Sequence, residues 1–287
     1  MLSSIRPVVR RSISFFLPLV ALGLGGLCQG SNLYFQGFET DASGWYDYST
    51  GNPGATRVAG TVTMPAADGN YYGQISNVND SYQTGYGGGG YTLFGNTSPS
   101  PYPGSPFSQS VDVYINTSLT PSNPNAAAFW IDESPTDTRG QNYYDEHDFA
   151  LFYNGTTVNV ALDNGAANIA NITTSGWYQF TETFAPDSNP SNPVINTLSV
   201  QTLGGITLGS QTTSGNSNGG TLPSSDLGGP NYLWFTVWQN GFSNNLLNID
   251  DVSADTLGAV PEPATLALLG AGLLLAGAFA KLRRRKA

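Results

Sequence analysis

"LFYNGTTVNVAL", Leu151 to Leu162, decides the fold class. Two runs rich in aromatic and β-branched residues flank Asn154-Gly155, and an Asn-Gly pair in that setting is a strong hairpin signal. Asn and Gly supply the positive φ angles that a tight primed turn requires. An antiparallel strand pair is therefore expected here.

The same pattern repeats in both directions from this hairpin. "NYYGQIS", "FSQSVDVYINT", "AAAFWIDE", "DFALFYNG", "TTVNVALDN", "WYQFTETFA", "NTLSVQTL", "YLWFTVWQ" and "LLNIDDVSA" all read as strands, punctuated by Gly, Pro, Asn and Ser. In "SVDVYI", Val111, Val113 and Ile115 share one face while Asp112 and Tyr114 take the other. Gly37 to Leu257 holds no amphipathic helix pattern, so parallel α/β architecture, which needs crossover helices, is excluded. The expectation is an all-β domain, an antiparallel β-sandwich of jelly-roll type. Thr84–Pro106 and Ser210–Asn231 are so rich in Gly, Pro or Ser that both are predicted as long loops.

Charge is scarce and uneven. Only 10% of residues are charged, with 10 basic against 20 acidic. Arg6, Arg10 and Arg11 open the chain, and Lys281, Arg283, Arg284, Arg285 and Lys286 close it, leaving Arg57 and Arg139 in the body. So anionic a body repels phosphates, which argues against nucleic-acid binding and suits neutral glycans or divalent cations.

Residues 1–30 read as a signal peptide, a basic stretch followed by the apolar run Ile13 to Leu27 and the small residue Gly30. Cys28, the only cysteine, would leave with it, so the sandwich of residues 31–257 must stand on its core without disulfides. Residues 258–263 contain Pro261, Glu262 and Pro263, an extended spacer. Ala264–Ala280 is uncharged and, as a helix, about 25 Å long, near the short limit for a transmembrane span. The basic tail 281–287 places that end in the cytoplasm and the sandwich outside. Pro-Glu-Pro, an apolar span and an Arg-rich end, in that order, resemble the PEP-CTERM sorting signal of Gram-negative bacteria. The resemblance implies recognition by an exosortase, transient residence in the inner membrane through Ala264–Ala280, and delivery to the envelope or the extracellular matrix.

Catalytic templates fit poorly. His147 is the only histidine, and no G-x-S-x-G elbow or mature thiol accompanies it. Glycoside hydrolysis needs two carboxylates. Glu133 with Glu146 or Asp148 could supply them in a hydrolase or lyase, but an E-x-D-x-x-E pattern from Glu146 meets Leu151 where its third acid belongs. The polar cluster Asp145, Glu146, His147 and Asp148 reads equally as a solvated loop, a calcium-ligating turn or part of a ligand site. Trp130, Tyr71, Tyr72, Tyr143 and Tyr144 are the aromatic candidates to stack on sugar rings. Trp234 and Trp238, in "YLWFTVWQN", share a strand face that is either core or ligand platform.

"GFETDASGW" (Gly37–Trp45), "GWYQFTETFAP" (Gly176–Pro186) and "NIDDVSA" (Asn248–Ala254) resemble jelly-roll carbohydrate-binding modules of galactose-binding-like or lectin-like fold. That resemblance implies a structural Ca²⁺ shared by Glu39 and Asp250 or Asp251. A simpler reading is that Asp250 and Asp251 cap a strand end. Together these features predict an exported, non-enzymatic protein that binds or organises polysaccharide. A glycan hydrolase or lyase and a purely structural or adhesive matrix protein are the alternatives.

Overall fold

The computed structural model describes residues 32–47, 54–75, 87–92, 106–121, 125, 127–136, 147–163, 165, 167–191, 194–214, 232–239 and 247–257. The expected signal peptide, the Pro-Glu-Pro spacer, the apolar run and the basic tail lie outside them. Among the described residues no helix is long and apolar enough to cross a membrane.

Fifteen strands follow in chain order: β1 Asn32–Gln36, β2 Trp45–Asp47, β3 Ala55–Ala59, β4 Tyr71–Ile75, β5 Gly87–Thr92, β6 Phe107–Ile115, β7 Phe129–Thr136, β8 Phe149–Tyr153, β9 Val158–Leu162, β10 Ala167–Ile172, β11 Gly176–Pro186, β12 Val194–Thr202, β13 Thr207–Ser214, β14 Tyr232–Gln239 and β15 Asn248–Thr256. They form two sheets. One runs β13-β12-β11-β6-β15-β4-β3, with β1 also paired to β15, and the other β10-β9-β8-β7-β14-β5-β2. Every pairing is antiparallel. The chain crosses between the sheets several times, and its first and last strands pair in the larger one.

Period-two sequence builds the core between the sheets. Val111, Val113 and Ile115 of β6 are fully buried, as are Phe180 of β11, Leu198 and Val200 of β12, and Phe149 and Leu151 of β8. Phe149 meets Phe180 edge-on across the sandwich, ring centroids 5.2 Å apart. Gln109, Glu182 and Asn196 fall on the same inward parity and are fully buried. Asn196 donates its side-chain N–H to Glu182, which shields part of that polar load from the apolar core.

The Asn154-Gly155 hairpin forms between β8 and β9, with one difference from expectation. Gly155 has φ +86, whereas Asn154 does not enter the left-handed region. Gly155 at the first central position is the pattern of a type II′ turn. Asn154 works through its side chain, its Oδ1 accepting from the Thr156 and Thr157 amides at 3.0 and 2.8 Å.

Both predicted long loops contain strand. "GGGGYT" forms β5, an interior strand between β14 and β2. Glycine weakens a strand by entropy, but two flanking backbone ladders satisfy β5 on both edges. Ser210–Ser214 completes β13, paired to β12. There Gly209 lies so close to the Ile169 carbonyl of β10 that no side chain would fit. Glycine thus marks a close approach of the two sheets as well as flexibility.

Candidate functional site

Two surfaces carry chemistry. The first surrounds the residues expected to hold Ca²⁺. After β1 the chain turns at Phe38, φ +55, and drives its ring into the core. The ring lies over Gly73 of β4, where a Cβ would come within 2.5–2.8 Å of three ring carbons. Plugging Phe38 inward turns Glu39 outward, where its Oε1 accepts the Asn70 and Tyr71 amides at 2.8 Å each. These bonds, with help from Arg57, hold Glu39 below the ordinary carboxylate range. Arg57 donates to the Phe38 and Glu39 carbonyls and lies 3.2 Å from the centre of the Tyr71 ring.

At the other end of the chain, Asp250 of β15 is fully buried. Its Oδ2 accepts the Ala67 amide at 3.0 Å and the Asp68 amide at 3.4 Å, and its Oδ1 accepts the Asp251 amide at 3.0 Å. Asp251 sits at φ +45, where the β15 register shifts against β6. Asp112 of β6 is the register partner of Asp250. Although on the outward face of its strand, Asp112 is only 4% exposed. Gln179 hydrogen-bonds its carboxylate, while its Oδ1 has no partner among the described residues. Burial, then the charge of Asp251, pushes both Asp112 and Asp250 up to about 7. Burial also raises Asp251, with Asp68 and Glu39 adding to it.

The segment 61–70 between β3 and β4 completes this region by folding back over the outer face of the larger sheet. Trp177 Nε1 donates to the Pro65 carbonyl at 2.7 Å, and the Asn248 side-chain amide reaches the Met64 sulfur at 3.3 Å. The Trp177 ring in turn meets Tyr72 and Tyr114, centroids 5.9 and 5.5 Å away.

The three expected ligands, Glu39, Asp250 and Asp251, are thus brought to one place, and Asp112 and Asp68 join them. Sequence parity alone puts Asp112 on the face opposite Val111, Val113 and Ile115, with no sign of its burial. Glu39 Oε1 and both Asp250 oxygens, however, accept backbone amides. Among the described residues no three acidic, histidine or cysteine groups converge as a metal ion requires.

The second surface is the outer face of the smaller sheet. Ile131 of β7 and Trp45 of β2 are buried in the core, so their chain neighbours fall on the opposite face. Register then aligns Tyr46 of β2, Tyr91 of β5, Thr236 of β14 and Asp132 of β7 in one row across four adjacent strands. The next row on that face runs Gly89, Trp238, Trp130, Ala150, Ala161 and Asn168. Trp234 sits opposite Ser134 in a third row. Trp238 thus stands at the register position opposite Trp130. Glu133 falls at the register position opposite Phe235.

The remaining candidates scatter. Tyr72 is 2% exposed against Trp177, and Tyr71 lies beneath Arg57, so neither is the open platform expected of it. His147 is buried, its Nδ1 2.9 Å from Asp163 Oδ2 and its Nε2 3.2 Å from Thr213 Oγ1 of the other sheet. Asp163 also accepts the Asp148 amide at 3.0 Å. His147, Asp163 and Thr213 thus tie the sheets together at the start of β8. Tyr143, Tyr144, Asp145 and Glu146 lie outside the described residues.

Residues 259–286 match the PEP-CTERM protein-sorting motif, the exosortase signal of exported proteins expected from Pro261, Glu262 and Pro263. No curated protein matches the chain in sequence. Among solved structures, it is similar to the endo-1,3-beta-glucanase of Streptomyces sioyaensis, with 14% identity over 80% of this chain and 97% of that one, TM-score 0.43. It is also similar to the CBM2 module of the evolved Dit of Lactobacillus casei BL23 phage J-1, with 12% identity over 81% and 98%, TM-score 0.42. The PL-14 alginate lyase of Aplysia kurodai gives 9% identity over 79% and 99%, TM-score 0.45. The likeness is one of architecture and brings none of their activities with it.

Proposed function

We propose that this exported sandwich is a polysaccharide-binding protein, and that it holds its glycan on the outer face of the smaller sheet. One observation carries the reading. The register brings Tyr46, Tyr91, Trp130, Trp234 and Trp238 to neighbouring positions on four adjacent strands. Aromatic faces stack on the apolar C–H faces of pyranose rings, and a rigid sheet presents them at little entropic cost. Neighbouring strands lie about 4.8 Å apart, so four of them span about 14 Å, room for several sugars of a linear chain. Asp132, Thr236 and Ser134 in the same rows supply hydrogen-bonding partners for hydroxyls.

The reading favours binding over hydrolysis, because Asp132 is the single carboxylate position within those rows and a glycosidase needs two. The sorting motif supports an extracytoplasmic setting, where the ligand would be an envelope or matrix polysaccharide. Binding of the purified protein to a glycan array and to the producing cell's exopolysaccharide tests the proposal. Retention that falls on Trp130→Ala and Trp238→Ala supports it. Retention of the variants equal to that of the native chain, or no binding to any glycan, would overturn it.

A further inference from the structure

The resemblance to carbohydrate-binding modules implies that a cation joins the first and last strands through Glu39 and Asp250 or Asp251. Ca²⁺ takes six to eight oxygen ligands whose lone pairs point at it. Here Glu39 Oε1 already accepts two amides, and both oxygens of Asp250 accept amides as well. A carboxylate oxygen surrounded by N–H dipoles presents their positive ends to an approaching cation. Of the three expected ligands only Glu39 Oε2 and the Asp251 carboxylate accept no backbone amide among the described residues, and these three oxygens fall short of the six to eight the ion takes, so the three residues by themselves do not fit it.

We infer that segment 66–71 takes the place of that cation, so that its backbone amides join the opening and closing strands without metal. Four of its N–H groups are committed, those of Ala67 and Asp68 to Asp250 and those of Asn70 and Tyr71 to Glu39. Successive amides in a turn form a concavity suited to anions, and here the anions are the protein's own side chains. Gly69 makes the arrangement possible. It takes φ +62, and a Cβ at that position would collide with the Glu39 carboxylate. Arg57 fixes the other side of the joint by binding the Phe38 and Glu39 carbonyls. The cationic partner is thus divided between one guanidinium and a row of amide dipoles, all covalently part of the chain. Pro65, bonded to Trp177, anchors the same segment over the larger sheet.

The test is thermal unfolding of the full chain in detergent, in millimolar Ca²⁺ and in chelator, followed by limited proteolysis with thermolysin. The expected result is the same Tm in both conditions. Gly69→Ala and Glu39→Ala lower Tm by several degrees in both, and open segment 61–70 to cleavage. Glu39→Gln, which keeps an acceptor oxygen, retains most of the native Tm and protection. A Tm that rises by several degrees with Ca²⁺ and falls with chelator overturns the inference. So does a Glu39→Gln chain as labile as Glu39→Ala. Where a variant fails to fold, the comparison of the native chain with and without Ca²⁺ still decides.

Discussion

Replacing Gly73 by alanine should reveal how the N-terminal turn is built. A Cβ on residue 73 would lie 2.5, 2.6 and 2.8 Å from three carbons of the Phe38 ring, well inside contact distance. Phe38 is fully buried in the main core and rests against Trp45, centroids 6.0 Å apart, so it has little room to retreat. Overpacking of this kind costs about 1–3 kcal/mol. Phe38→Ala alone loses a whole buried ring, about 3–5 kcal/mol. If the two residues acted independently, the double variant would lose about 4–8 kcal/mol by these same figures. With the ring gone, however, the methyl introduced by Gly73→Ala occupies space that Phe38 has vacated. The double variant should therefore lose no more than Phe38→Ala alone, a coupling of about 1–3 kcal/mol. Urea unfolding monitored by tryptophan fluorescence measures all three, since Trp45 reports on the same pocket. Strict additivity would refute the claim that Phe38 sits over Gly73, and with it the account of how Glu39 is aimed at segment 66–71.

Other outcomes are expected. Trp130→Ala and Trp238→Ala should each weaken glycan binding about tenfold or more, as aromatic anchors do, with Tm unchanged; titration calorimetry against the identified polysaccharide measures it. Asp112 and Asp250 are raised to about 7 in the folded chain, so between the unfolded carboxylate range and about pH 7 the folded state holds more protons than the unfolded. Their contribution to stability is then full at the acid end of that window and is lost as pH rises through it. Glu39 and Asp41, depressed by hydrogen bonds, act in the opposite sense below the window. Urea midpoints across pH should show the fall, and Asp112→Asn should flatten it; a midpoint that climbs from pH 4 to 7 would contradict the cluster's burial. Gly155→Val should cost about 1–3 kcal/mol, because residue 155 has φ +86 and its Cβ would press on Thr120 Oγ1 at 3.0 Å; thermal unfolding checks it.

Much was legible before any coordinates. Alternation in "SVDVYI" placed Val111, Val113 and Ile115 on one face, and Asn154-Gly155 marked the hairpin. "PEP" and the basic end marked the sorting signal. These are local properties: side-chain period, turn chemistry and composition act over a few residues and need no partner. The resemblance also named Glu39, Asp250 and Asp251 as one locality, although more than 200 residues separate Glu39 from the other two.

Tertiary structure decided what those residues do. Segment 61–70 carries no strand or helix signal, yet its amides hydrogen-bond Glu39 and Asp250, and Asp112 nearby is buried on the face opposite Val111 and Val113. Strand order decided the second surface. Period two says nothing of which residues of other strands stand beside Trp130 and Trp238, and only pairing of β7 with β14, and of β14 with glycine-rich β5, sets them at adjacent register positions. Register between strands distant in sequence depends on backbone hydrogen bonds that no local pattern encodes. For that reason the sequence by itself determined the class of fold and the export route, while the site waited on the register.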